Sequence, residues 1–221
     1  MADADSSSSP RSIGIVADPR ADLERALALE NETERKLAVA AIVNELVRPL
    51  GFRAVVIGGL AVEFWTQGDY TTADIDLYLP WTPQVDVALA SAGFIKEGRH
   101  WTVPDHGVFV EAPASALGEQ EEVHEVVLAD GHVAVVLALE DVLIDRLHQF
   151  VAGGYRDVTS QAIALLGSDE LDSERLEARA RDEGLDSALQ AIRELSARTE
   201  RDEPIETWEL REIAQRLQRE R

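Results

Sequence analysis

Apolar residues recur at helical spacing from Asp22 to Glu30 and again from Thr33 to Leu50. In the second stretch Leu37, Ala40, Ala41, Val43, Leu46, Val47 and Leu50 share one stripe, and Gly51 follows as a stop. The pattern then changes. Arg53 to Ile57 (RAVVI) is short, apolar and β-branched, which predicts a strand running into Gly58-Gly59. Leu60 to Trp65 predicts a short helix, and Gln67-Gly68-Asp69 a turn. Asp74 to Leu79 (DIDLYL) alternates, with Asp74, Asp76 and Tyr78 on one face and Ile75, Leu77 and Leu79 on the other.

Pro80 and Pro83 end that strand, and Pro83 to Ala92 predicts a helix stopped by Gly93. Extended segments follow at Phe94 to Val103, Val108 to Ala112, Val123 to Leu128 and His132 to Leu137, the last two joined by an Asp130-Gly131 hairpin turn. From Leu139 the pattern is helical throughout: 139–151, 158–166, 173–183, 187–199 and 205–219. The fold class expected is α+β: a small mixed β-sheet with flanking helices, followed by a C-terminal helical region. The divisions are a disordered Ser-rich tail over 1–18, an α/β domain over 19–138 and the helical region over 139–221.

Composition narrows the chemistry. The chain has 221 residues and no cysteine, which excludes disulfides, thiolate metal sites and a cysteine nucleophile. It shows neither a basic, apolar leader nor an apolar run long enough for a membrane span, so a cytoplasmic protein without a membrane partner is expected. Lys plus Arg is 21 against 42 for Asp plus Glu, a formal charge of −21. Such a chain repels nucleic-acid backbones unless its cations cluster, and no basic run occurs. Only Lys36 and Lys96 are lysines; an acidic, lysine-poor surface suits solubility in concentrated salt. The histidines, His100, His106, His124, His132 and His148, show no compact metal spacing.

One constellation carries chemistry. Fourteen residues separate Gly59 from Asp74. On a strand, residues i and i+2 point the same way, so Asp74 and Asp76 project together. Two adjacent carboxylates stay ionised when a cation lies between them, and hard oxygen donors suit Mg²⁺ with its waters and substrate phosphates. Gly58-Gly59 ahead of a helix allows backbone amides to approach a phosphate. Together these predict a cradle for a metal-bound triphosphate.

The residues VVIGGLAVEFW followed by TTADIDLYL resemble the nucleotidyltransferase superfamily of the DNA polymerase β type, especially its minimal members. The resemblance covers about residues 40–167. It implies that Gly58 and Gly59 contact the phosphates of an NTP, and that Asp74 and Asp76 hold Mg²⁺ or Mn²⁺. It further implies transfer of an NMP to a hydroxyl on RNA, a protein or a small molecule. A third carboxylate is common in the family as metal ligand or general base, and Glu111 in VFVEA is the candidate. LALEDVLIDRLHQF followed by YRDVTSQAIALL is similar to the helical segment of abortive-infection-type toxins and related proteins. Those often carry a lysine near the triphosphate; here the position is Arg146, with Arg156 starting the next helix. The alternative is a catalytically inactive protein of this fold, acting as nucleotide sensor or as one partner in a toxin-antitoxin-like pair.

Overall fold

The computed structural model describes residues 18–220. The expected tail lies outside the described residues except for Asp18, which caps the first helix. Its carboxylate accepts from the backbone N–H groups of Arg20 and Ala21, and Pro19 begins α1 (Pro19–Leu27). Asn31 caps α2 (Glu32–Val47) in the same way, through the N–H of Glu34. A single tighter turn, Arg48–Leu50, finishes the predicted helix, and Gly51 supplies the left-handed stop at φ +80°.

The strands are β1 (Val55–Val56), β2 (Asp74–Tyr78), β3 (Ile95–Glu97), β4 (His100–Val103), β5 (Val108–Ala114), β6 (Val123–Val127) and β7 (Val133–Leu137). They form one sheet in the order β3-β4-β5-β2-β1-β7-β6. The β2/β5 and β1/β7 pairs are parallel and the others antiparallel, so the sheet is mixed. Two strand expectations change. Of 53–57, only Val55 and Val56 pair as strand. The segment 94–103 is a hairpin rather than one strand, because Gly98 at φ +62° turns the chain between β3 and β4. Pro113, which has no N–H for the ladder, lies where the β2/β5 register slips by one residue beyond Glu111.

Between the strands run α3 (Gly58–Trp65) and α4 (Pro83–Ala92); after β7 come α5 (Leu139–Gly153), α6 (Arg156–Leu166), α7 (Ser173–Asp182), α8 (Asp186–Glu200) and α9 (Thr207–Glu220). One sheet face buries Ile75, Leu77 and Val110, with α2 packed along β1, β2 and β7. Helix α5 is the hub of the C-terminal region, touching α3, α6, α7, α8 and α9. Its Asp141, 2% exposed, accepts from Arg175 Nη2 and from Arg179 Nε, the latter at 2.8 Å. Glu140 takes Arg175 Nη1 at 2.8 Å. This buried ionic cluster bolts α7 to α5. No helix among the described residues is long and apolar enough to cross a membrane.

Candidate active site

Helix α3 begins at Gly58, earlier than its apolar pattern suggests, so Gly58 and Gly59 form its first turn with Ile57 as N-cap. Gly58 has φ +61°, a conformation costly for other residues. A Cβ there would also collide with the Asp76 carboxylate, whose Cγ lies 3.1 Å from where it would stand. At Gly59 a Cβ would meet Thr72 Oγ1 at 2.7 Å. Both glycines are therefore demanded by close approach, Gly58 by Asp76 and Gly59 by the segment that leads into β2.

Asp74 and Asp76 share the polar face of β2, Asp74 exposed and Asp76 half-buried. Strand β5 runs parallel in register: Asp74 pairs with Phe109 and Asp76 with Glu111. Neighbours in register point to the same face, so Glu111 joins the two aspartates. Across β4 the row continues to His100, whose Nδ1 is 2.6 Å from Glu111 Oε1; Arg99 Nη2 is 3.6 Å from Oε2. Burial, then the charges of Glu111 and Asp74, push the Asp76 carboxyl above the usual carboxylate range. Arg146 and the Gly59 N–H, which donates to Asp76, pull the other way.

Arg146, on α5 and only 6% exposed, acts on Asp76 through its charge while its hydrogen bonds go elsewhere. Its Nη2 donates to Asp145 at 2.5 Å and its Nη1 to Gln161 at 3.1 Å, while Nε is buried without a partner. The structure thus brings Gly58, Gly59, Asp74, Asp76, Glu111 and Arg146 around one end of the sheet. Arg156 lies apart, its Nη2 donating to the Ile205 carbonyl at 2.6 Å.

Sequence reasoning missed the clamp behind the glycines. Glu63, 0% exposed on α3, accepts from Lys36 Nζ at 2.6 Å, from the Thr72 N–H at 3.0 Å and from Thr33 Oγ1. Lys36 Nζ also donates to the Thr72 carbonyl at 2.7 Å. Thr72 is held at both backbone groups and presses its side chain on Gly59. The available signal was an acid inside the otherwise apolar GGLAVEFW and a lysine at the head of LAVAAIV.

The donor set fits a divalent cation in one mode only. Among the described residues no group of three or more His, Cys, Asp or Glu could hold a metal ion, which speaks against a cage of protein ligands. Mg²⁺ needs no such cage, since it takes one or two carboxylates and fills its shell with waters and phosphate oxygens. Asp74 and Asp76, two residues apart on one face of β2, meet that requirement.

No protein-family model matches the chain, and no curated protein does. Among solved structures it is similar to one described as an antigenic nucleotidyltransferase-like protein from Paracoccidioides brasiliensis. That likeness has 16% identity, covers 71% of this chain and 92% of the other, and has a TM-score of 0.47. At that overlap it carries no functional weight.

Proposed function

We propose that the chain is a cytoplasmic, metal-dependent nucleotidyltransferase that moves an NMP from an NTP to a hydroxyl acceptor. The observation that carries the reading is the register of Asp76 with Glu111, on the face where Gly58 abuts Asp76. Asp74 and Asp76 would hold Mg²⁺ or Mn²⁺, which supplies charge neutralisation at the phosphates when bound. The N–H groups opening α3 that Asp76 leaves free, together with the Arg146 guanidinium, would receive phosphate oxygens. Glu111 accepts the proton of the acceptor hydroxyl as its oxygen bonds to the α-phosphorus and pyrophosphate leaves in line. The clamp of Lys36 and Glu63 fixes Thr72 against Gly59 and so sets the spacing between the helix turn and the carboxylates.

The second reading is a protein of the same build that binds nucleotide without transferring it, as a sensor or within a toxin-antitoxin-like pair. It is favoured by His100 standing against Glu111, which engages the carboxylate otherwise assigned as base. Incubation of the chain with each α-labelled NTP, Mg²⁺ or Mn²⁺ and extract of the source cells separates the two. Label on RNA, protein or a small molecule supports transfer and identifies the acceptor; tight binding without any labelled product supports the second reading.

A further inference from the structure

The sheet face that carries the acidic cluster continues past it to the β3 edge. Register puts Asp74, Phe109, Thr102 and Ile95 in one row across β2, β5, β4 and β3. Lys96 and Trp101, of the alternate set, turn to Asp86 of α4 on the other face. Phe109 and Ile95 stand 42% and 49% exposed, with Thr102 buried between them. At about 4.8 Å per strand, Ile95 lies about 14 Å from Asp74. The neighbouring row runs Asp76, Glu111, His100 and Glu97.

Helix α1 starts beside this edge. A Cβ at Gly93 would meet Arg20 Nε at 3.7 Å, so the first turn of α1 lies against the residue two before Ile95. Residues 6–17, ahead of Asp18, read SSSSPRSIGIVA and lie outside the described residues. They offer hydroxyls at Ser6 to Ser9 and Ser12, then the apolar Ile13, Ile15 and Val16. Arg11 is their one charged residue, positive in a chain of −21. Ser12 and Ser9 precede Asp18 by six and nine residues, a reach of up to about 20 and 30 Å. The order along the segment matches the order across the face. Apolar residues next to α1 meet the apolar pair nearest the β3 edge, and the serines and Arg11 beyond them meet the acidic cluster. A patch a few side chains across is far below the about 800 Å² that each partner gives a stable interface. It suits a tethered segment, whose high local concentration offsets a small contact.

We infer that the chain is its own acceptor: Ile13, Ile15 and Val16 dock on Ile95 and Phe109, and a serine ahead of Ile13 receives the NMP. The inference rests on the proposed transferase reading. The serine Oγ bonds to the α-phosphorus as the bond from that phosphorus to the bridging oxygen breaks. Pyrophosphate leaves with that electron pair, and the hydroxyl proton passes to Glu111.

Incubation of the purified full chain with each α-labelled NTP and Mn²⁺, without extract, tests it. Label should appear on the chain itself, with a rate constant independent of chain concentration. Mass spectrometry should place the NMP on one of Ser6, Ser7, Ser8, Ser9 or Ser12, and replacing all five by alanine should abolish the label. Phe109→Ala and, separately, Ile13→Asp with Ile15→Asp should slow labelling at least about tenfold. Calorimetric affinity for the labelling NTP should hold in both. Thermal melting checks folding, and the double variant carries the comparison if Phe109→Ala is unstable. Label on any other residue, a rate constant that rises with chain concentration, unchanged labelling in either docking variant, or NTP affinity lost in step with the label would each overturn the inference. Label that appears only on molecules of a cell extract would overturn it and leave the transferase reading standing. No label anywhere, with or without extract, would overturn the transferase reading, and this inference with it.

Discussion

Asp76 and Glu111 face each other in register across two parallel strands; among the described residues no Lys or Arg lies at ion-pair distance from Asp76, while Glu111 meets His100 and the exposed Arg99. Arg146 moderates Asp76 from α5, yet the Asp76 carboxyl still lies above its ordinary range. Like charges on one half-buried face are a standing cost to the ligand-free fold. Such a cost is expected where a site is built for a cation rather than for stability.

Removing one of those charges should therefore stabilise and disable at once. Asp76→Asn should melt at a higher temperature than the wild type at neutral pH without metal. Its Mg²⁺-nucleotide affinity should fall by at least about tenfold, since even outer-shell changes at metal sites cost that much. Paired melting and calorimetry check both halves; an unchanged affinity would remove Asp76 from the site.

Gly58→Ala should act through geometry. The left-handed conformation costs a side chain about 1–2 kcal/mol, and the new methyl must displace the Asp76 carboxylate. Denaturant unfolding should show a loss of at least that size, accompanied by weaker nucleotide binding. Gly51→Ala is the control: it shares positive φ but has open space around it, so its stability should fall while binding holds.

The clamp should show the signature of a buried ion pair. Lys36→Met alone leaves the buried Glu63 charge unmatched and should cost about 3–5 kcal/mol, and Glu63→Gln somewhat less because Lys36 keeps Glu32 at 3.9 Å. The double variant should recover part of that loss, so the two effects are not additive. A double-mutant cycle by urea unfolding measures the coupling, and simple additivity would mean that the pair does not interact as drawn.

Arg175→Ala should loosen the C-terminal helices. It removes one of the two guanidinium partners of the buried Asp141 and the guanidinium of Glu140, which keeps only the Asp172 N–H. Limited proteolysis should begin near α7 in this variant, whereas Arg193→Ala, which loses only an exposed pair with Glu177, should resist like the wild type.

Salt should stabilise the whole chain. At a formal charge of −21, self-repulsion opposes compaction when screening is weak. The screening length drops from about 30 Å at 0.01 M to about 3 Å at 1 M. Melting temperature should rise from dilute buffer to molar KCl. A flat or falling series would show that local pairs such as Arg198 with Glu209 outweigh the long-range repulsion.

The elements legible in the sequence were those with a strong period or a strong stop. DIDLYL read as a strand because its alternation matches a sheet with one buried face, and Asp130-Gly131 marked the β6/β7 hairpin. The β3/β4 hairpin was missed because Glu97-Gly98-Arg99 lacks the usual turn pair and sits within a continuous extended pattern. The shared face of Asp74 and Asp76 followed from spacing alone. The clamp did not, because Lys36 and Glu63 are 27 residues apart and meet only through packing of α2 on α3. Nor did the roles of Arg175 and Arg179, since nothing in composition distinguishes a buried guanidinium from an exposed one.

The buried position of Lys36 shields its amine from acylating reagents in the folded chain. Of the two lysines, Lys96 holds Asp86 at 2.7 Å and lies over the rings of Trp81 and Trp101, while Lys36 is sealed beneath Glu63 and Thr72. Acylation of Lys36 therefore requires the segment ahead of β2 to lift away from α2. The rate at which a labelling reagent reaches that one nitrogen, read by mass spectrometry, becomes a clock for opening of the region that carries the candidate site.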